Sequence, residues 1–372
     1  MNLPDLNIIH QIDALTKSQY SFAIYRLPWT DECTLILQIQ NNVEVLDNIT
    51  ELNGKQGFVL APFRISDKHP LVVLRPDVMA CGWSEINTAL NACSEHIESL
   101  KHNKSNKPYS PSITDSETED YSRVFMRFID PLKKQQFQKL VLSRSESHRI
   151  AEEFSPLTAF IKACNSYPRM MIYLCGTPQT GTWLGSTPEI LLSGQKKDWH
   201  TVALAGTMPM IDDSMPENWS DKNKKEQALV ADYIRDVVKK FGNNIEEKGP
   251  YTARAGQLVH LKTDFRFQIK NADIIGNMLE QLHPTPAVCG LPKIEAYQFI
   301  ADNEGYERKY YSGFIGWLEP EGQTDLYVNL RCMEIHNKEV TLYAGGGILA
   351  SSDVNLEYEE TKEKMKTMKN IL

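Results

Sequence analysis

The chain has 372 residues, of which 41% are hydrophobic and 24% are charged, a composition typical of a globular protein with a sizeable core. Its 40 basic and 48 acidic residues leave a net charge of −8. Nucleic acid is therefore excluded as an expected partner, because no basic surface can neutralise a phosphate backbone. Seven cysteines without a C-x-x-C pair indicate reduced thiols and a cytoplasmic location, rather than disulfides or structural zinc.

The N-terminal segment 1–17 lacks the basic and apolar parts of a secretory signal. The apolar runs are too short to cross a bilayer, so no membrane partner is expected. Residues 101–120 are rich in Ser, Thr, Asn and Pro and predict a linker. We divide the chain into an N-terminal part, 1–115, without a motif, and a catalytic region, 116–372, and expect the two to form one intertwined unit.

The predicted elements follow the linker in chain order. Six runs are continuously apolar or alternate with polar residues, as strands do: 140–143, 170–175, 189–193, 201–206, 325–335 and 340–346. An apolar stripe predicts a helix that begins near Ser220 and ends at Gly242, and a last helix begins near Ser352 or Asp353. Strands interrupted by helices without a strict βαβ rhythm indicate an α+β fold.

Two side chains at predicted strand ends are candidates for acid–base chemistry. Desolvation lowers the pKa of a lysine, so Lys139 is a candidate general base. Pro188 fixes the entry to the next strand, where burial would raise the pKa of Glu189, as a general acid requires. Taken singly, a solvated lysine and a rim glutamate explain the two positions better.

Carboxylates on the two predicted helices are candidates for metal binding. Glu226 shares the apolar stripe of its helix, where a charge is costly unless it is paired or metal-bound. Glu357, Glu360 and Lys364 share one face of the last helix. Carboxylates without Cys or His suit Mg²⁺, although Glu360 and Lys364 also have the spacing of an ordinary helix ion pair.

Three consecutive glycines, Gly345, Gly346 and Gly347, precede the last helix. Their backbone N–H groups can face an anion. Close packing explains the cluster equally well, because it lacks the spacing of a phosphate-binding loop.

Taken together and in order, these segments resemble the chorismate-utilising enzymes, a family of isochorismate synthases, salicylate synthases, anthranilate synthase large subunits and aminodeoxychorismate synthases. The resemblance extends from about Tyr121 to Met368. It rests on KLVLSR (139–144), GSTPEILL (185–192), LAGT (204–207), HLKT (260–263), LHPTPAVCGLP (282–292), residues 308–317, LRC (330–332), YAGGGI (343–348) and EYEETKEK (357–364).

The resemblance implies large, mostly antiparallel sheets flanked by helices, as in anthranilate synthase large subunits, with the active site in a central cleft. It implies that Lys139 activates water for attack at C2 of chorismate and that Glu189 protonates the departing C4 hydroxyl. It makes Glu226 and Glu360 direct Mg²⁺ ligands, with Glu357 acting through water. The residues it assigns to substrate binding are Ala205, Gly206, Thr207, His260, Tyr311, Arg331, Gly345, Gly346, Gly347 and Lys364.

Two positions favour water as the nucleophile. Family members that add ammonia usually have Gln where this chain has Lys139, and aminodeoxychorismate synthases have a nucleophilic Lys where it has Ala205. The resemblance therefore implies a magnesium-dependent isochorismate synthase, an isomerase. A salicylate synthase, which also eliminates pyruvate, stays open as the alternative. A non-catalytic relative is the third hypothesis, because Asn223, Gln227 and Cys289 depart from the family pattern.

Isochorismate is used in both menaquinone and siderophore synthesis. Since no fused domain is evident, we expect a stand-alone enzyme of menaquinone synthesis. Chorismate is the expected partner, and no obligatory glutamine amidotransferase subunit is expected because the nucleophile is water.

Overall fold

The computed structural model describes residues 1–40, 42–93, 121–210, 215–216 and 218–372. The predicted linker, 101–120, and the division between residues 115 and 116 lie outside the described residues. Within the described ranges, no helix combines the length and the apolar character needed to cross a membrane.

The described strands, numbered along the chain, form two sheets of nine strands each. The first sheet contains β1 (Ser21–Arg26), β2 (Thr34–Gln38), β6 (Val78–Cys81), β7 (Lys139–Arg149), β8 (Met171–Thr177), β9 (Gly181–Thr187), β14 (Gly290–Leu291), β17 (Cys332–Ile335) and β18 (Glu339–Ile348). The second contains β3 (Glu44–Leu46), β4 (Gly57–Ala61), β5 (Leu71–Leu74), β10 (Ile190–Gln195), β11 (Asp198–Pro209), β12 (Gly242–Ala255), β13 (Leu258–Ile269), β15 (Phe314–Leu318) and β16 (Gln323–Val328).

The spatial order of the first sheet is β14-β7-β18-β17-β9-β8-β1-β2-β6, and that of the second is β12-β13-β11-β10-β16-β15-β4-β5-β3. Neighbouring strands are antiparallel in both, for example β7 with β18 and β11 with β13. The segment before residue 93 supplies three strands to each sheet. The prediction of large, mostly antiparallel sheets in an α+β fold is confirmed.

The described residues also form eight α-helices that flank the sheets. They are α1 (Leu6–Leu15), α2 (Gly82–Ala92), α3 (Tyr121–Lys133), α4 (Pro156–Ser166), α5 (Asp221–Phe241), α6 (Ile275–Leu282), α7 (Lys293–Asn303) and α8 (Val354–Lys369).

The alternation of side chains between the two faces of each strand explains how sheets and helices are layered. In β1, Phe22 and Ile24 pack with the helices outside the first sheet, whereas Ala23 and Tyr25 join an apolar cluster that also contains residues of β4 and β15. In β4, Val59 packs on the opposite side with α5 and α6. Because successive side chains of a strand point to opposite faces, the two sheets share an inner core and carry helices on their outer faces.

Both predicted helices are confirmed. Ser220 caps α5 by accepting a hydrogen bond from the backbone N–H of Asn223, and Asp353 caps α8 in the same way. Gly242 ends α5 in an extended conformation and begins β12 directly.

The prediction of one strand over 325–335 is wrong, because the chain changes sheets within it. β16 belongs to the second sheet and β17 to the first, and Arg331 between them has a positive φ of 46°. The two halves have similar apolar patterns, so the sequence contains no sign of the crossover. A second crossover, Pro188–Glu189, joins β9 to β10, so Glu189 precedes its strand rather than starting it.

Candidate active site

The two crossovers run side by side at one end of the sheets. The backbone N–H of Ser186 donates to the carbonyl of Arg331 over 2.9 Å, and the N–H of Val328 donates to the carbonyl of Glu189 over 2.9 Å. A cavity of about 50 Å³ adjoins both crossovers. It is lined by every residue that the sequence assigned to the site except Lys139 and Glu357.

A larger cavity, of about 480 Å³, lies at the other ends of β9 and β17. It is lined by none of the predicted site residues. None of the buried side-chain atoms that lack a hydrogen-bond partner among the described residues belongs to its lining, whereas one on Arg331 belongs to the smaller cavity. Buried polar atoms are normally satisfied, so the unsatisfied one favours the smaller cavity as the binding site.

Lys139 begins β7 and is fully buried behind the cavity wall. Its Nζ lies 2.9 Å from Oε1 of Glu226. The approach does not have hydrogen-bond geometry, and Nζ has no hydrogen-bond partner elsewhere in the described residues. The structure therefore places Lys139 against the carboxylate of Glu226, which lines the cavity, and Lys139 itself is not part of the cavity lining.

The glycines make room for these side chains. A Cβ on Gly347 would overlap Oε1 of Glu226 and lie 3.0 Å from Cε of Lys139. A Cβ on Gly346 would lie 3.3 Å from Oε1 of Glu360 and 3.4 Å from Oε2 of Glu357. A Cβ on Gly345 would lie 2.9 Å from the carbonyl oxygen of Leu142. Close packing, one of the two explanations that the sequence left open, thus accounts for all three glycines.

Glu189 is buried at the cavity wall, and burial raises its pKa to about 8, although the charge of Lys139 and the hydroxyl of Thr285 act in the opposite direction. Oγ1 of Thr285 lies 3.5 Å from Oε1 of Glu189. The carboxyl is therefore largely protonated at neutral pH, as a general acid must be. Sequence reasoning gave Thr285 no role, although it lies within the recognised segment 282–292.

The predicted metal ligands contact lysines in the structure. Oε1 of Glu357 accepts a hydrogen bond from Lys222 over 2.5 Å, and Oε1 of Glu360 accepts one from Lys364 over 2.6 Å. Sequence reasoning missed Lys222, which is four residues before Glu226 on α5, a spacing that could have indicated it. Across the described ranges, no three His, Cys, Asp or Glu side chains are grouped closely enough to form a metal site.

The pKa values of Glu357 and Glu360 are shifted in opposite directions. Burial and the neighbouring charge of Glu360 raise the pKa of Glu357, and its Oε2 is buried without a hydrogen-bond partner in the described residues. Burial acts in the same direction on Glu360, but Lys364 and Lys222 outweigh it and lower the pKa. Burial would lower the pKa of Lys222, but the nearby carboxylates raise it. The ammonium of Lys222 therefore acts as a counter-ion for the carboxylate group.

Arg331 is a buried cation beside this group. Burial lowers its pKa to about 10, against the opposite effects of Tyr311, Glu360 and Glu189. Its NH2 lies 3.0 Å from Nε2 of His260, and its NH1 has no hydrogen-bond partner in the described residues. Since an unpaired buried charge is strongly destabilising, this guanidinium is suited to a ligand that brings a negative charge.

Other predicted residues complete the cavity wall. Tyr311 is buried and stacks on Tyr343 with 5.5 Å between ring centroids. Lys364 donates to the carbonyl of Gly345 over 2.8 Å. Gly206, with a positive φ of 72°, forms a bulge in β11 between Ala205 and Thr207. Bulges re-aim neighbouring groups, and here the carbonyl of Gly206 lies 2.9 Å from Nδ1 of His260.

The three departures from the family pattern do not remove any of these groups. Gln227 donates to the carbonyl of Ala203 over 3.0 Å and to the hydroxyl of Thr263 over 3.1 Å, so it joins α5 to the second sheet. Asn223 packs near Gly206, and Cys289 is buried beside α7.

The sequence profile of chorismate binding enzymes matches residues 41–372, so the chain belongs to this family. It is 26% identical over 265 residues to the vibriobactin-specific isochorismate synthase of Vibrio cholerae, an alignment that covers 69% of this chain and 67% of that protein. It is 30% identical over 199 residues to isochorismate synthase EntC of Escherichia coli (strain K12), covering 51% of each. The chain thus spans between half and two-thirds of the length of these curated relatives.

The solved structure of MenF, the menaquinone-specific isochorismate synthase from Escherichia coli, has the same fold, with a TM-score of 0.75 and 24% identity. The superposition covers 97% of this chain and 91% of that one. Residues 1–40 and 42–93, in which the sequence showed no motif, supply strands to both sheets and are therefore part of this common fold.

Proposed function

We propose that this protein is an isochorismate synthase that interconverts chorismate and isochorismate, adding water at ring carbon C2 as the hydroxyl leaves C4. The observation that carries the proposal is the buried carboxyl of Glu189, whose pKa burial raises to about 8, in one cavity with the guanidinium of Arg331, whose NH1 has no hydrogen-bond partner among the described residues. The names of the relatives support the same reaction.

In this proposal, Lys139 accepts a proton from the attacking water and Glu189 gives its proton to the departing hydroxyl, which leaves as water. The C2–O bond forms, the ring double bond shifts, and the C4–O bond breaks. Lys139 can accept a proton only as a neutral amine, so its ion pair with Glu226 has to be released during the cycle. Burial of Glu189 keeps its proton available at the pH where Lys139 must act.

Chorismate carries two carboxylates, and the cavity offers cationic groups for them. We propose that one carboxylate binds NH1 of Arg331 beside Tyr311, and so provides the hydrogen-bond acceptor that this atom lacks among the described residues. Lys364, which also lines the cavity, interacts electrostatically with Glu189 as Arg331 does. The glycine backbone at Gly345 lies between Lys364 and Tyr311.

We propose that Mg²⁺ is held by Glu226 and Glu360 directly and by Glu357 through water. The donor types fit, because all three side chains are carboxylates and Oε2 of Glu357 is buried without a partner among the described residues. Because these carboxylates are not grouped closely enough in the structure to form a metal site, they have to move together where the ion binds. When bound, the ion supplies positive charge for the ring carboxylate. Glu226, Glu357 and Glu360 each contact a lysine, so these ammonium groups must give way where the ion binds.

We further propose a cytoplasmic enzyme that needs no glutamine amidotransferase subunit. All seven cysteines are free thiols and six of them are buried, as in a reducing compartment. The nucleophile is water, so no ammonia has to be delivered.

The test is a product assay with purified protein, chorismate and Mg²⁺, without glutamine. Isochorismate as the accumulating product is expected. Salicylate and pyruvate would instead support a salicylate synthase, and the absence of turnover would support a chorismate-binding protein. Lys139→Met should abolish turnover while thermal denaturation still shows a folded protein; near-native turnover would overturn the role of Lys139 as base.

A further inference from the structure

His260 contacts Arg331 in the wall of the smaller cavity. It lies on β13, is buried, and its Nε2 is 3.0 Å from NH2 of Arg331. A guanidinium can only donate hydrogen bonds, so Nε2 must carry a lone pair rather than a proton. The ring proton is then on Nδ1, which donates to the carbonyl of Gly206 over 2.9 Å.

The surroundings favour the neutral ring as well. Burial lowers the pKa of His260 well below its usual value, and the positive charges of Arg331 and Lys364 lower it further. Oγ1 of Thr207 lies 3.3 Å from the same Nδ1, on the protonated side of the ring. The hydrogen bonds and the neighbouring charges therefore both favour a neutral ring of His260, and the hydrogen bonds favour the tautomer with its proton on Nδ1.

The contact decides where the guanidinium points. Besides the phenols of Tyr311 and Tyr167, the groups that act on the pKa of Arg331 are the carboxylates Glu360 and Glu189. A guanidinium released from His260 can turn towards either of them. It would then lose the free NH1, and at Glu189 it would stabilise the charged form of the carboxyl that must stay protonated.

We propose that His260 is a positioning residue that holds Arg331 through its neutral Nδ1–H tautomer, so that NH1 of Arg331 faces the cavity and binds a carboxylate of the ligand. His260 acts through Arg331 and not by proton transfer. That the carboxylate belongs to chorismate rests on the proposed function, whereas the tautomer and its contact with Arg331 do not.

The first test measures chorismate turnover and binding in two variants. His260→Leu removes the acceptor and should raise KM and the calorimetric Kd for chorismate by about 10- to 100-fold, with a much smaller change in kcat, because a charge-assisted hydrogen bond is lost. His260→Gln offers an amide oxygen as acceptor and should recover most of the loss. His200→Leu is the matched control, since His200 pairs with Asp264 outside the cavity and its loss should leave KM unchanged.

The outcomes separate positioning from general damage. If His260→Leu lowers kcat with KM unchanged, or if His260→Gln is as impaired as His260→Leu, the proposal is overturned. Thermal denaturation of both variants identifies any loss of folded protein, and the KM of the folded fraction still decides between these outcomes.

The second test does not depend on activity. The nitrogen chemical shifts of His260 in the ¹⁵N-histidine-labelled protein, assigned with His260→Gln, should report an Nδ1–H tautomer without protonation across the neutral pH range. A protonated ring or an Nε2–H tautomer would overturn the proposal. If the wild-type protein does not bind chorismate but His260 has the expected tautomer, the proposed function fails and the positioning of Arg331 stands.

Discussion

Glu189 and Arg331 lie on two adjacent segments that carry the chain in opposite directions between the sheets. The segment of Glu189 leads from β9 in the first sheet to β10 in the second, and that of Arg331 leads from β16 back to β17. Backbone hydrogen bonds of 2.9 Å join each segment to the strand beside the other. The proposed acid and the proposed carboxylate-binding group are thus held by rigid backbone at one cavity, as orientation of a bound substrate requires.

Replacing Glu189 by Gln removes the transferable proton but keeps the shape and the burial of the side chain. We expect kcat to fall by about 100-fold or more, the usual contribution of a general acid, while the protein stays folded. Isochorismate formation measured with saturating chorismate checks this. Glu321→Gln, at an exposed position, is the control and should keep wild-type activity; activity of Glu189→Gln equal to that of the control would contradict the assignment.

The raised pKa of Glu189 predicts how stability changes with pH. The usual pKa of this carboxyl is 4.5, and its pKa in the folded protein is about 8. Between these two pH values the folded state therefore keeps a proton that the unfolded state has lost. The stabilising contribution is complete below about pH 4.5 and is lost as the pH rises through about 8. Relative to Glu189→Gln, the wild-type protein should therefore lose thermal stability between about pH 6 and about pH 9. A constant difference in midpoint over this range would contradict the pKa.

The same group predicts the alkaline limit of activity. A general acid must be protonated in the free enzyme, so kcat/KM should fall as the pH rises through about 8. The pH profile of kcat/KM for isochorismate formation checks this. A profile that stays flat to well above this value would show that Glu189 is not the acid that limits the reaction.

Metal dependence should involve the carboxylates on α5 and α8. Chelation with EDTA should abolish activity and added Mg²⁺ should restore it. Glu360→Gln should raise the Mg²⁺ concentration for half-maximal activity by roughly tenfold or more, since it removes a charged ligand. Glu359→Gln, at an exposed position one residue earlier, should leave this concentration unchanged. Activity that is insensitive to EDTA would remove the metal from the proposal.

Replacing Gly347 or Gly346 by Ala should reduce turnover to different degrees. In Gly347→Ala, the new Cβ overlaps Oε1 of Glu226 and lies 2.6 Å from its Cδ, so the Lys139–Glu226 pair has to move and we expect turnover to be lost. In Gly346→Ala the nearest atoms are carboxylate oxygens of Glu360 and Glu357 at 3.3 and 3.4 Å, which can give way, and part of the activity should remain. Kinetic comparison of the two variants checks the order, and a more active Gly347→Ala would contradict it.

Much of the fold and of the chemistry could be predicted from local patterns. The apolar stripe and the cap at Ser220 indicated α5, because helix periodicity and capping depend on residues close in sequence. The order of the recognised segments indicated the family, which the profile match over residues 41–372 confirms. The strand over 325–335 could not be divided correctly, because β16 and β17 have similar burial patterns although they belong to different sheets.

By itself, the sequence therefore determined the fold class, both long helices, and the chemical groups available for acid–base and metal chemistry. Only the tertiary structure decided which of these groups meet: Lys139 with Glu226, Lys222 with Glu357, and His260 with Arg331. The partners of each pair lie on different parts of the fold: Lys222 and Glu357 are 135 residues apart in the sequence, and His260 and Arg331 are 71 residues apart. Contacts at such separations follow from the packing of two whole sheets and their helices, and a pattern within any one segment carries no information about them.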